Sequence, residues 1–165
     1  SPRCRRSWRW SGFLRKEADD LILRPFRAED VKDALRYLSD PVTMRFIELP
    51  FDEEKSEAFL RQCALGKNPP VLAVEEAGEV IGHAIFHPFD GESWEIGWVL
   101  RSDRCGYGIG TEIGQRLLTL ARRKGVSFLK AEAVPENAAS RALLEKLDFS
   151  LCGKADGLLL YQSKV

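Results

Sequence analysis

From Trp94 the chain reads Trp94-Glu95-Ile96-Gly97-Trp98-Val99-Leu100, then Arg101-Ser102-Asp103-Arg104-Cys105-Gly106-Tyr107-Gly108-Ile109-Gly110, then Thr111-Glu112-Ile113-Gly114 and onward to Gly125. The first run alternates, which predicts a strand with Glu95, Gly97 and Val99 on one face and Trp94, Ile96, Trp98 and Leu100 on the other. The last run places Ile113, Leu117, Leu118 and Ala121 at helical spacing, which predicts a helix from Thr111 to about Lys124, closed by Gly125. Three alternating glycines join the two. Glycine lets a backbone approach a ligand and take positive φ. Amides at the start of a helix gather negative charge such as phosphate. Arg101 and Arg104 bring positive charge close by. A tight turn without a ligand is the plainer reading of the same glycines. The segment is not a P-loop, since no Lys-Ser/Thr follows the glycines. It also lacks the acid that a dinucleotide fingerprint needs at the end of the next strand.

Upstream, Leu21–Pro25 predicts a short strand, and Ala28-Glu29-Asp30 opens a helix carrying Val31, Ala34, Leu35 and Leu38. Asp40-Pro41 breaks that helix, and a short turn or helix follows over 42–46. Asp52 is placed to cap a helix from Glu53 to about Leu65. Val71–Glu75 and Glu79–His87 flank Ala77-Gly78 as a hairpin, with a turn at Pro88–Gly91. Downstream, Val126–Val134 predicts a strand, Ala138–Leu147 a helix, and Phe149–Cys152 with Leu158–Lys164 a late strand pair. The order predicts one α/β (α+β) domain with a mixed sheet.

The 165 residues predict one domain, and they are long enough to bury a core without a metal or disulfide staple. Their 25 basic and 25 acidic side chains balance, but unevenly along the chain. Arg3, Arg5, Arg6, Arg9, Arg15 and Lys16 lie in residues 1–16 with no acid, so a basic arm (residues 1–20) precedes a mildly acidic domain (21–165). A body of that sign does not suit nucleic acid, and any such affinity would reside in the arm. The arm, with Trp8, Trp10, Phe13 and Leu14 among its arginines, is otherwise an extension that packs loosely. It lacks the apolar core of a secretory signal. No apolar run is long enough to cross a bilayer. Cys4, Cys63, Cys105 and Cys152 are widely spaced, and the only histidines are His83 and His87. No metal site is expected, and reduced thiols fit a cytoplasmic protein.

Four segments in order resemble the GNAT N-acetyltransferase superfamily, most closely its ribosomal-protein-alanine N-acetyltransferase branch. They are Leu21-Ile-Leu-Arg-Pro-Phe-Arg-Ala-Glu-Asp30, Val80-Ile-Gly82 with Glu95-Ile-Gly-Trp98, Cys105–Gly110, and Asn137-Ala-Ala-Ser140 through Phe149. The resemblance implies a mostly antiparallel sheet with helices on both faces and a V-shaped splay between its central strands. It implies acetyl-CoA, with its pyrophosphate on the amides of Gly106, Tyr107, Gly108, Ile109 and Gly110 as Thr111 opens the helix. The pantetheine arm would pair with the backbone of Val99 and Leu100, and Asn137 and Ser140 would line the thiol end. Cys105 stands where the family usually has Gln or Arg, with Arg104 beside it. Leu144 stands where many relatives have a proton-donating Tyr, and Asp148 replaces a Gly.

Acetyl transfer to an amine needs a neutral nucleophile, a polarised carbonyl and a proton sink, but no covalent enzyme intermediate. Glu95 is the candidate base, a solvated or salt-bridged strand carboxylate being its plainer reading. Ser140 is one of three candidates, with water and the substrate ammonium, for returning a proton to the leaving thiolate. A backbone amide near Val99 or Leu100 is placed to polarise the carbonyl. His83 and His87 flank Ile85 on one strand face and reach toward an acceptor, or else belong to the core. Trp98 is read as slot wall or substrate platform, and Phe46, Ile47 and Phe51 as a lid over the acceptor or as plain helix packing. The acceptor is expected to be a protein N-terminus or a small amine, and the chain a monomer or homodimer. The alternatives are a non-catalytic acyl-CoA-binding module and a ribosome- or nucleic-acid-associated protein working through its arm.

Overall fold

Residues 20–165 are described by a computed structural model; the basic arm, Arg3 to Lys16, lies outside the described residues. Seven strands form one sheet: β1 (Leu21–Arg24), β2 (Val71–Glu76), β3 (Glu79–Asp90), β4 (Ser93–Leu100), β5 (Phe128–Ala133), β6 (Ser150–Ala155) and β7 (Leu158–Lys164). Their order is β1-β2-β3-β4-β5-β7-β6, antiparallel throughout except for the parallel pair β4–β5. That parallel pair is joined through α4 (Ile109–Arg123), the long crossover a parallel connection requires. The other helices are α1 (Val31–Leu38), α2 (Pro41–Met44), α3 (Glu53–Phe59) and α5 (Ala138–Lys146). None of the described helices is long and apolar enough to cross a membrane.

Each face of the sheet buries its own apolar cluster. On one, Ile113, Leu117 and Ala121 of α4 and Leu144 of α5 pack against Ile96, Leu129 and Ala131. On the other, Tyr37 and Leu38 of α1 and Leu60 pack against Ala73, Val80 and Val99. Each such Leu or Ile, fully buried, contributes about 1.5–3 kcal/mol from the apolar surface it withdraws from water. The alternation read in β4 is therefore real: Ile96 goes to the α4 face and Val99 to the α1 face.

One strand and two helices depart from their expected boundaries in ways that have a physical reason or bear on the site. The expected turn at Pro88 is strand, because β3 runs on through Asp90 opposite β4 with a register irregularity between Pro88 and Asp90. β2 ends opposite Ile85, so this part of β3 has a partner on one side only, and a residue without an N–H is tolerated there. Helix α4 starts two residues earlier than expected, at Ile109, with Gly108 as its N-cap. The helix expected over Glu53–Leu65 is α-helical only to Phe59 and loosens into a π turn over Leu60–Ala64. Asp52 caps its start by accepting from the Lys55 amide at 2.8 Å. Asp148 takes the left-handed conformation (φ 64) after α5, the role glycine usually has there.

The feature that matters for function is the divergence of β4 and β5. They pair only over Ser93–Glu95 and Phe128–Lys130, whereas β4 stays paired with β3 out to Leu100 and β5 with β7 out to Ala133. Beyond Glu95 the edge of β4 that faces β5 has no strand partner among the described residues, and a V-shaped slot opens. Gly82 helps to hold β4 on the β3 side. A Cβ there would lie 2.1 Å from the Val99 carbonyl oxygen, so only glycine permits this approach.

Candidate active site

The slot is a cleft of about 930 Å³, counting its open mouth. One wall is β4 from Glu95 to Val99. The other is the end of β5, from Ala131 to Val134, together with Asn137, Ser140 and Leu144 at the start of α5. Phe46 and Ile47, after α2, close one side. Of the residues singled out in the sequence, the cleft thus gathers Glu95, Trp98, Val99, Asn137, Ser140 and Phe46. Asn137 caps α5, its Oδ1 accepting from the Ser140 amide at 3.2 Å, and this fixes both residues on the wall. Leu144 is 2 % exposed and offers no proton.

At the end of β4 the chain makes a 3-10 turn, Ser102–Arg104, and enters the glycine segment. Gly106 and Gly108 have φ of +84 and +80, with nothing within 4 Å of where a Cβ would stand. These two glycines are needed for backbone conformation. Gly110 is different: it is helical, and a Cβ there would make ordinary contacts, 3.4 Å to Leu143 Cδ1 and 3.5 Å to Trp98 Nε1, so neither conformation nor space demands glycine. The first intrahelical acceptor is Gly108 O, bonded by Glu112 N at 3.1 Å, so the amides of Ile109, Gly110 and Thr111 have no partner inside the helix. Partial positive charge therefore collects at this turn.

The two arginines expected to add to that charge are engaged elsewhere. Arg104 grips Glu76 with two bonds of 2.7 Å and lies 4.7 Å from the Tyr107 ring centroid. Arg101 donates to Glu79 at 2.7 Å and to Asp103 at 2.6 Å. Both brace the turn against β2 and β3. The Cys105 thiol lies 3.7–3.8 Å from the carbonyl oxygens of Arg101 and Leu100. Burial, then the charge of Asp103, push its pKa up, so it stays protonated and is a poor nucleophile.

The two histidines part company. His83 is buried between Tyr37 and Phe59, its Nδ1 2.9 Å from the Tyr37 hydroxyl, and does not line the cleft. Burial pulls its pKa down to about 4, so it is a neutral core side chain at pH 7. His87 reaches the cleft through Glu95: Nε2 lies 3.0 Å from Glu95 Oε2 and Nδ1 2.9 Å from the Pro88 carbonyl oxygen. That carbonyl only accepts, so Nδ1 is the donor to it, and Nε2 is turned to the Glu95 carboxylate.

A second carboxylate, Glu132, lines the same cleft and was not singled out by the sequence. Burial raises its pKa, and the charges of Glu95 and Asp156 raise it further. In sequence it is one polar position in a strand, and only the pairing of β4 with β5 brings it near Glu95.

Extended open backbone along β4, amides gathered beyond its end and carboxylates where the strands part suit a long ligand with an anionic head and a reactive tail. The acetyltransferase (GNAT) domain family matches residues 20–150. The uncharacterised N-acetyltransferase YnaD of Bacillus subtilis (strain 168) is 30% identical over 133 residues, 77% of each chain. The L-methionine sulfoximine/L-methionine sulfone acetyltransferase of Pseudomonas paraeruginosa is 30% identical over 140 residues, 80% of this chain and 81% of its own. Among solved structures, the GNAT-family acetyltransferase of Bacillus anthracis superposes with a TM-score of 0.78 at 24% identity, covering 88% of this chain and 95% of its own. The microcin C7 self-immunity acetyltransferase, solved with acetyl-CoA and AMP, gives 0.76 at 17%, covering 89% and 93%. The ribosomal-protein-alanine N-acetyltransferase of Brucella melitensis gives 0.67 at 26%, covering 87% and 99%. Those likenesses fall on the domain that carries the splayed strands and the glycine turn, and the chain belongs to the GNAT family of acetyl-CoA-dependent N-acetyltransferases.

Proposed function

We propose that this protein moves an acetyl group directly to a primary amine, with Glu95 as the group that accepts the amine's proton. The observation that carries this reading is the position of Glu95. It is the last β4 residue paired with β5, it lines the cleft, and His87 holds its carboxylate. The amides from Gly106 to Thr111 hold the pyrophosphate of acetyl-CoA, and the open edge of β4 at Val99 and Leu100 holds its pantetheine arm. The residues fit that group: the turn is exposed, its helical amides lack partners in the helix, and among the described residues the strand edge is free. Bound there, acetyl-CoA supplies an acetyl group activated as a thioester.

An amine reaches the cleft as an ammonium and attacks only as the neutral base. Glu95 takes that proton, directly or through one water, and general-base help of this kind is worth about 100- to 10,000-fold in rate. His87, tied to the Pro88 carbonyl, keeps the carboxylate aimed along β4. Ser140, on the opposite wall, and solvent return a proton to the departing thiolate, since Leu144 has none. A backbone amide of Val99 or Leu100 polarises the acetyl carbonyl. The likenesses to a methionine sulfoximine acetyltransferase and to a ribosomal-protein-alanine N-acetyltransferase support an amine acceptor, without favouring the second branch: its identity is 26% against 30%.

Release of free CoA thiol, measured with acetyl-CoA and a panel of amines, tests this. Glu95→Gln is expected to lower kcat about 100-fold or more while leaving acetyl-CoA affinity unchanged. Unchanged kcat refutes the role of Glu95, and tight acetyl-CoA binding with no turnover on any amine refutes transfer altogether.

A further inference from the structure

On the face of the sheet that carries Glu95, α1 and α3 cover the β1–β4 side, whereas β5, β7 and β6 carry a second cavity of about 470 Å³, counting its open mouth. Glu95, Ala131 and Glu132 line both this cavity and the cleft, so the two spaces adjoin where the strands part. Away from the carboxylates, the second cavity is walled by Phe89, Leu160 and Tyr161, with Cys152 at β6. Its polarity is thus one-sided: anionic at the junction and largely apolar beyond.

Of the two acids at the junction, Glu95 has His87 beside it at 3.0 Å and Glu132 stands apart from that pair. No ion pair forms with Glu132 among the described residues, and its carboxylate is under pressure from burial and from Glu95. The cation lining this cavity, Lys130, is committed at the rim: its Nζ lies 2.7 Å from Asp90 Oδ2 and 4.7 Å from the Phe89 ring centroid. A cation placed between Glu95 and Glu132 relieves that pressure. A carboxylate on the atom next to that cation would instead face both acids at short range, which like charges resist.

We propose that this second cavity is the acceptor's side-chain pocket, and that the acceptor is a primary ammonium with an apolar body and no carboxylate beside the amine. The proposal rests on the reading of Glu95 as proton acceptor and adds the chemistry of the substrate. A free arylalkylamine and a peptide N-terminus with an apolar first residue share that chemistry. In both, the ammonium lies against Glu95 and Glu132, and the hydrocarbon part replaces water over Phe89 and Leu160.

The test compares kcat/KM for 2-phenylethylamine, L-phenylalaninamide, L-phenylalanine and spermidine, in the wild type and in Cys152→Arg. Cys152 is an exposed edge-strand residue, so its substitution spares the core while placing a cation and bulk in the pocket. Either of the first two substrates is expected to exceed L-phenylalanine and spermidine by about tenfold or more. Cys152→Arg is expected to remove about tenfold from the better one, the scale of apolar-pocket discrimination. A lead for the amide assigns a peptide N-terminus and a lead for the plain amine assigns a free amine; both support the pocket. L-phenylalanine or spermidine as the best substrate overturns it, as does an unchanged kcat/KM in Cys152→Arg. Isothermal titration of 2-phenylethylamine and of L-phenylalaninamide separates this from a failure of catalysis. Saturable binding of either that is lost in Cys152→Arg sustains the pocket even if no amine is turned over, and absent binding of both to the wild type overturns it.

Discussion

Gly108 and Gly110 are two residues apart in one turn, and their replacement by alanine is expected to have opposite effects. Gly108 has φ +80 and ψ 2, and a Cβ on it would meet nothing within 4 Å. Its cost on substitution is therefore purely conformational: an L-residue in the left-handed region gives up about 1–2 kcal/mol. Gly110 is helical, and its added Cβ would touch Leu143 and Trp98 at ordinary contact distance, 3.4 and 3.5 Å. Alanine gains up to about 1 kcal/mol over glycine inside a helix, so Gly110→Ala should be neutral or stabilising. Thermal unfolding followed by circular dichroism reads both, with about 2–4 °C in Tm per kcal/mol for a chain of this size. Gly108→Ala should also weaken acetyl-CoA binding. If the turn escapes its strain by leaving the left-handed region, the amides of Ile109 to Thr111 are re-aimed. If it does not, the strain remains. Calorimetric titration is expected to show a 5- to 30-fold rise in Kd if the whole 1–2 kcal/mol is felt on binding, about tenfold per 1.4 kcal/mol. The reasoning is refuted if Gly110→Ala is the more destabilising of the two, or if Gly108→Ala matches the wild type in both stability and affinity.

Other consequences are equally concrete. Gly82→Ala should destabilise the fold by about 1–3 kcal/mol or more, because its Cβ would meet backbone, the Val99 oxygen, and should weaken acetyl-CoA binding along β4; a wild-type urea midpoint would contradict this. His83, neutral in the core and pulled down to about 4, gives a definite sign to acid destabilisation. Its contribution is present above its ordinary value near 6.5 and is lost as pH falls from there to about 4, up to about 3 kcal/mol. His83→Phe should flatten that slope in urea titrations at pH 7 and pH 4.5, and a slope as steep as the wild type's would reject the assignment. Asp40 is pulled down to about 2 by bonds from Ser102 and Thr43, and it also accepts from the amides of Val42 and Thr43 at the start of α2. Asp40→Ala should cost about 1 kcal/mol in the same unfolding assay at pH 7, and no loss would contradict its capping role.

Much of the architecture was legible because it depends on local patterns. The alternation in 94–100 gave the faces of β4, and the glycine spacing placed a turn before α4. Asp52 marked a helix start that its side chain does cap. Pro88 misled because whether a proline breaks a strand depends on which side of that strand is paired, a fact of the assembled sheet. Arg101 and Arg104 looked free to meet phosphate, but Glu76 and Glu79, some 25 residues earlier, come alongside only through the hairpin. His83 and His87 share one strand face, yet Tyr37 and Phe59 bury the first while the second stands beside Glu95. Glu132 was invisible because its nearness to Glu95 comes from a neighbouring strand.

Acetyl transfer in this cleft depends on one placement: acetyl-CoA along the open edge of β4, with its pyrophosphate on the turn that opens α4. Titration of acetyl-CoA into isotopically labelled protein, followed by amide NMR, tests it residue by residue. The largest shifts are expected in Gly106 to Thr111 and in Ile96 to Leu100, and they should saturate together. Saturable binding that shifts other amides and leaves those two segments still would contradict the account.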